Sequence, residues 1–154
     1  MEIRKNRIKQ RLRDGKHVIA IENLNDPDLV ELFAPNDPHC FWFEGEHSIV
    51  NPQNIGDLTR ATDLINATSV VRVPRPEYQL IYHAFDLGAQ GVAVPHVKSK
   101  SDAELVVNAS KFSPLGQRGM FTSRQGIGVD DYFKKANDET FVLVFIEDLI
   151  AIEN

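Results

Sequence analysis

Apolar residues along this chain gather into short unbroken runs, separated by longer stretches in which they recur every third or fourth position. The runs are "HVIAIENL" (17–24), "CFWFEGE" (40–46), "TSVVRVP" (68–74), "GVAVPHV" (91–97) and "FVLVFIED" (141–148). They are rich in β-branched and aromatic residues, and no polar alternation runs through their centres. Such runs predict strands of a parallel sheet buried on both faces. The stretches between them predict helices. In "NDPDLVELFA" and "NPQNIGDLTRATDLIN" a proline, Pro27 or Pro52, stands near a first turn. Ile55, Leu58, Thr62 and Ile65 then share one face of the second helix. "RPEYQLIYHAFDLGA" begins with Pro76 and stops at Gly88, with Leu80, Ile81, Ala84 and Phe85 as its packed stripe. "SDAELVVNASKF" opens with Ser101 and Glu104 at capping-box spacing.

Alternation of strand and helix predicts an α/β fold with right-handed crossovers. An open doubly wound sheet and a (β/α)₈ TIM barrel both satisfy it, and the strand ends favour the barrel. Side chains capable of chemistry follow strand after strand: Glu46 and His47, then Arg72, then His96, then Glu147 and Asp148. A barrel brings those ends to one mouth, where its active sites are built, whereas an open sheet spreads them along an edge. No glycine-rich nucleotide loop follows the first strand, which weakens a dinucleotide-binding alternative. A complete barrel takes about 250 residues and eight strands. The 154 residues here hold five, so residues 1–154 are expected to form the N-terminal part of a single TIM-barrel domain, an incomplete barrel of about the first five β/α units.

Composition changes this picture little. A chain 42% hydrophobic and 25% charged is that of a soluble globular protein, and a formal charge of -5 argues against a dedicated nucleic-acid binder. The single cysteine, Cys40, excludes an internal disulfide and points to a reducing compartment. No apolar run has the length of a membrane helix and no secretory signal pattern is present, so the expected location is cytoplasmic and no membrane partner is expected. Residues 1–16 are strongly basic, with Arg4, Lys5, Arg7, Lys9, Arg11, Arg13 and Lys16. No aromatic residue interleaves them as a nucleic-acid stacking platform requires. They read as a surface helix with Ile3, Ile8 and Leu12 turned inward and Gly15 closing its end, and no nucleic acid is expected as a partner.

Each candidate carries two readings. His47, after a buried strand and two acids, suits a general base whose tautomer a carboxylate sets, or a loop histidine in a salt bridge. Glu147 ends an apolar strand, where a desolvated carboxylate needs a divalent metal or a basic side chain. Arg72, inside the apolar "VVRVP", suits a carboxylate or a developing enolate oxygen, or a structural ion pair. Asp86 opposes the dipole at the end of its helix, so it has a specific partner such as a histidine, or it is solvated. Arg118 and Arg124 lie on a glycine-rich loop that covers a substrate or merely connects. Cys40 is expected to be core packing.

"EGEH", "VVRVP", "DLGAQGVAVPHV", "PLGQRG", "DYFKKANDE" and "IEDLIAIEN", in that order, resemble the HpcH/HpaI aldolase family. The likeness runs from "NRIKQRL" to residue 154 and covers only the front part of a family member. It implies a metal-dependent pyruvate aldolase, a (β/α)₈ barrel assembled into homo-oligomers, hexamers in the family. Such an enzyme reversibly cleaves a 4-hydroxy-2-oxo acid to pyruvate and an aldehyde with Mg²⁺, Mn²⁺ or Co²⁺. By match, His47 looks like the catalytic base, Arg72 like the residue that holds the pyruvate oxygen, Asp86 like the acid that strengthens the base, and Glu147 like one metal ligand. The family has Asp where Glu44 stands, as hydrogen-bond partner of the base. It has a substrate-binding Gln where Phe145 stands, and its second metal-binding Asp belongs to the next strand, beyond Asn154. Arg118, in "PLGQRG", is expected to contact substrate. The alternative is an impaired or truncated homologue serving as a binding or scaffold subunit.

Overall fold

In the computed structural model, which describes residues 1–154, five parallel strands lie in one sheet in the order of the chain. They are β1 (Ala20–Glu22), β2 (Cys40–Glu44), β3 (Thr68–Arg72), β4 (Gly91–Val94) and β5 (Phe141–Val144). Helices α2 (Pro27–Leu32), α3 (Pro52–Leu64), α4 (Tyr78–Asp86) and α5 (Lys100–Ser110) return the chain between strands. Because every strand runs the same way, every strand's C-terminal end lies at the same end of the sheet. The main core lies between the sheet and these helices, where Phe41, Phe43, Val71, Val92 and Val94 meet Leu58, Ile81, Phe85 and Val106. On the other face, Cys40, Val70 and Ala93 form a smaller cluster with Trp42, Phe141 and Phe145, onto which Ile8 of α1 (Arg7–Arg13) packs. Helices on one face and an inward-facing apolar layer on the other make this part of a barrel.

Burial follows position in the sheet more closely than the runs foretell. β3 and β4 are buried along most of their length, as expected for strands flanked on both sides. The outermost strands are not: Ala20 and Glu22 of β1 and Leu143 and Val144 of β5 are exposed. All five strands stop short of their runs, whose last residues lie beyond the strand ends. α4 starts at Tyr78, beyond Pro76. The N-cap of α5 is Ser99, whose Oγ accepts from the Asp102 amide at 3.2 Å, displacing the expected Ser101. Two further helices follow, α6 (Tyr132–Glu139) within "DYFKKANDE" and the short α7 (Leu149–Glu153).

The basic N-terminal segment is tied down by acids from distant elements. Arg4 pairs with Asp63, Lys5 with Glu139 at 3.1 Å, and Arg7 grips Asp37 through both terminal nitrogens at 2.8 and 3.1 Å. Burial pushes the Arg4 guanidinium down to about 9, with Arg124 beside it adding to the effect. The helix is shorter than the basic stretch. Ile3 is buried in the extended lead-in, and Leu12 stays exposed. Gly15 closes the helix with φ of +69°, a conformation glycine adopts without strain. No helix of the structure is long and apolar enough to cross a membrane.

Candidate active site

Register places the first pair of charges together. In the β2–β3 ladder Glu44 lies directly opposite Arg72, and partners opposite each other in a parallel pair project to the same face. That face is the inner one, shared with Trp42 and Val70 two pairs earlier. Chain and sheet then part at Gly45, whose amide donates to the Arg72 carbonyl at 3.0 Å. A Cβ at this position would collide with that same carbonyl oxygen, so the approach requires glycine.

Glu44 organises the turn that follows. Its Oε1 accepts from the amides of Glu46 at 2.9 Å and His47 at 3.2 Å, while its Oε2 accepts from the Trp42 indole at 3.2 Å and faces Arg72 Nη1 at 3.4 Å. Burial raises the carboxyl's pKa, but the Glu46 amide, the Trp42 indole, the His47 amide and the Arg72 charge together hold it below the ordinary value. Glu44 therefore contacts the backbone of His47 and not its ring.

Glu46 is the acid that meets the rings. Its side chain is 11% exposed and forms an ion pair with Arg72 Nη2. Its Oε2 is 3.4 Å from His47 Nε2, and its Oε1 is 3.4 Å from His96 Nε2. His96 continues the line: its Nδ1 is 3.1 Å from Asp148 Oδ2 and 3.5 Å from Glu147 Oε1, and its amide donates to Glu147 Oε1 at 3.0 Å. His96 reaches these acids from a left-handed backbone, φ 54°. Asp148 also faces Lys98 at 3.6 Å and stands at the N-cap of α7. One connected line of side chains thus joins the tips of β2, β3, β4 and β5, with His47 at its outer end, 71% exposed.

Phe145 closes the inner side. Its ring centre is 4.6 Å from Arg72 Cζ, and Trp42 meets it edge-on at 6.2 Å. The Arg72 side chain is 13% exposed, and its Nε is buried without an acceptor.

Two expected members lie elsewhere. Asp86, in the last turn of α4, is at the opposite end of the sheet, where helices finish and strands begin. It accepts from Arg118 Nη2 at 2.6 Å. Arg118, its side chain 1% exposed, is sandwiched between the rings of Phe112 at 4.5 Å and Phe85 at 5.1 Å. Within this chain Asp86 therefore does not act on His47, and Arg118 does not reach the strand tips; both hold the loop after α5 against the body. Arg124 also lies away from the strand tips, paired with Asp63 and donating to Thr59 Oγ1 at 2.9 Å. Cys40 is buried packing, its thiol pushed up to about 12 by burial.

A divalent metal finds only part of a donor set here. Glu147 offers a partly exposed carboxylate, a hard oxygen donor, but no three histidine, cysteine or carboxylate groups of the chain converge on a point. Magnesium retains several waters and takes one or two carboxylates, so Glu147 fits as one ligand and does not complete a site.

The family described as HpcH/HpaI aldolase/citrate lyase matches residues 22–154. The chain belongs to that family. It is 31% identical over 157 residues to a 4-hydroxy-2-oxovalerate aldolase of Novosphingobium aromaticivorans, covering 97% of this chain and 58% of that relative. An HpcH/HpaI aldolase/citrate lyase family protein from Burkholderia cenocepacia J2315 superposes with a TM-score of 0.85 at 27% identity, covering 97% of this chain and 62% of that one. A citrate synthase superposes with a TM-score of 0.83 at 28% identity, covering 95% and 58%. The HpcH/HpaI chain thus spans about three-fifths of the length of the relatives it matches. The sequence places Glu46 and His96 among the strand-end residues expected at the mouth but pairs neither with a partner. The signal passed over was spacing: Glu46 follows Glu44 by two residues, so a turn held by the first presents the second.

Proposed function

We propose that this chain supplies half of the mouth of a divalent-metal-dependent pyruvate aldolase, which reversibly cleaves a 4-hydroxy-2-oxo acid to pyruvate and an aldehyde. The observation that carries this reading is Arg72: a buried guanidinium at the strand tips whose Nε has no acceptor, joined through Glu46 to a solvent-facing imidazole. A buried donor without an acceptor is costly in a resting protein, and a substrate oxygen relieves it. His47, exposed and beside Glu46, takes the proton from the substrate 4-hydroxyl, directly or through a water. The O–H electron pair becomes the aldehyde carbonyl, the C3–C4 bond breaks, and its electrons pass to the pyruvate enolate. Arg72 stabilises the negative oxygen so formed, and a proton returned to C3 completes pyruvate. Glu147 is the residue of this chain that would hold the metal, which when bound supplies Lewis-acid stabilisation of that same charge. A homo-oligomer, hexameric as in the family, and a cytoplasmic location belong to the same reading.

The test is pyruvate release from a 4-hydroxy-2-oxo acid by the purified protein. Release abolished by a chelator, restored by Mg²⁺, Mn²⁺ or Co²⁺, and lost in His47→Ala is the expected result. Turnover that survives the chelator removes the metal, and turnover that survives His47→Ala removes the base. A second reading, a binding subunit without turnover, draws on Phe145 lying over Arg72 and on the acids that already face the guanidinium. It predicts that 2-oxo acids bind while pyruvate release stays at background with metal present.

A further inference from the structure

Phe145 has no part in the proton and charge steps above, yet its position is among the most constrained at the mouth. Its amide donates to the Val94 carbonyl at 3.0 Å and its carbonyl accepts from the Val97 amide at 3.3 Å, so the ring is carried by backbone held in the sheet's extension. The ring covers the inner face of Arg72, and the edge of Trp42 covers the ring in turn. Trp42 is anchored by its indole bond to Glu44. The ring takes one face of the guanidinium, and along its in-plane edge Nη1 and Nη2 already face Glu44 and Glu46. Nε is the donor without an acceptor. A 2-oxo acid whose carboxylate or oxo oxygen reaches Nε in that plane lies alongside Phe145, with its tail against the aromatic pair.

The surrounding charge decides what that tail can carry. Glu44, Glu46, Glu147 and Asp148 line this part of the mouth; the facing basic groups are Arg72, shared by two of them, Lys98, 3.6 Å from Asp148, and the His47 and His96 rings, each already beside an acid. A second substrate carboxylate would meet acids and ring faces with no unpaired cation. Its desolvation would go uncompensated. An alkyl tail incurs no such cost and gains contact with the rings.

We infer that Phe145, backed by Trp42, is a specificity residue that selects 2-oxo acids with an uncharged, apolar tail over those bearing a second carboxylate. The inference rests on the 2-oxo acid reading of the site. Trp42 is the only tryptophan of the chain, so its fluorescence reads the mouth directly. The protein, in buffer containing magnesium chloride, is titrated with pyruvate, 2-oxobutyrate and 2-oxoglutarate, with calorimetry in parallel. Expected are binding of 2-oxobutyrate about tenfold or more tighter than 2-oxoglutarate, near parity between the two in Phe145→Gln, and retention of the preference in Phe145→Leu. A wild-type preference for 2-oxoglutarate overturns the inference without any variant. So does a ratio unmoved by Phe145→Gln. If none of the three acids binds by either method, the 2-oxo acid reading falls and takes the inference with it; binding indifferent to residue 145 removes the inference alone.

Discussion

Two acids separated by a single glycine do different work in this protein. Glu44 is consumed by its own turn, accepting two amides and an indole, whereas Glu46 faces a guanidinium and two imidazoles. The held-down carboxyl of Glu44 has a pH consequence. Because its native pKa lies below the ordinary 4.5, its contribution to stability is complete above that value and is lost as pH falls through the native one. In Glu44→Gln the acid limb of a stability–pH curve, measured by denaturant unfolding, is expected to be shallower than in wild type. Asp86 makes the complementary point. Its partner Arg118 is almost wholly buried, so Asp86→Asn leaves a buried charge with its acceptor weakened. Breaking such a pair costs about 3 kcal/mol; a denaturation midpoint within error of wild type would contradict that placement. The family likeness points Asp86 at His47, and nothing in the local sequence opposes this. Only the path of the chain does, since a residue at the end of α4 stands where strands begin.

At the level of elements, what was legible is what local chemistry controls. α3 is the clearest case. Pro52 stands in the first turn and Ile55, Leu58 and Thr62 are buried, as the sequence predicts; the structure adds a cap in which Asn51 accepts from the Gln53 amide and Asn54 from the Asn51 amide, each at 2.9 Å. Every one of these is a sequence-adjacent effect. Asn51→Ala is expected to cost about 1 kcal/mol, the usual loss of an N-cap side chain, read as a lowered denaturation midpoint. α6 was missed although Tyr132, Phe133 and Ala136 fall at helical spacing, because its neighbours are almost all polar and no apolar run flags it. Its burial is collective: Tyr132 and Phe133 each meet Phe112 edge-on, at 6.0 and 4.9 Å, a ring lying just after α5. Strand ends were overdrawn for a related reason. Apolar residues continue past Val94 and Val144, where Phe145 still bonds to Val94 and Val97 while the chain turns toward the mouth.

For the whole molecule, the parallel arrangement separates the candidate site from its support. The strand tips carry Glu46, His47, Arg72, His96 and Glu147, while the strand beginnings carry buried pairs that fasten the N-terminal segment and the loop after α5. Lys111 belongs to the second group. Its ammonium donates to the carbonyls of Asn137 and Thr140, each at 2.7 Å, and to Thr140 Oγ1 at 3.1 Å, joining the end of α5 to the end of α6. Burial, with the nearby Lys9 charge, brings it down to about 8 from 10.5. Between those values the unfolded chain binds more protons than the native one, so stability is expected to rise with pH across that window. Lys111→Met should abolish the rise, as measured by unfolding at pH values spanning it.

The left-handed residue at the tip of β4 bears on how its ring is to be removed. Histidine already carries a Cβ in that torsion, so alanine at 96 deletes the imidazole and leaves the resisting backbone as it was. Glycine removes the ring too, but also relieves the torsion and loosens the backbone. Paired side by side, the two replacements would tell an experimenter whether the bend or the nitrogen atoms matter to Glu147.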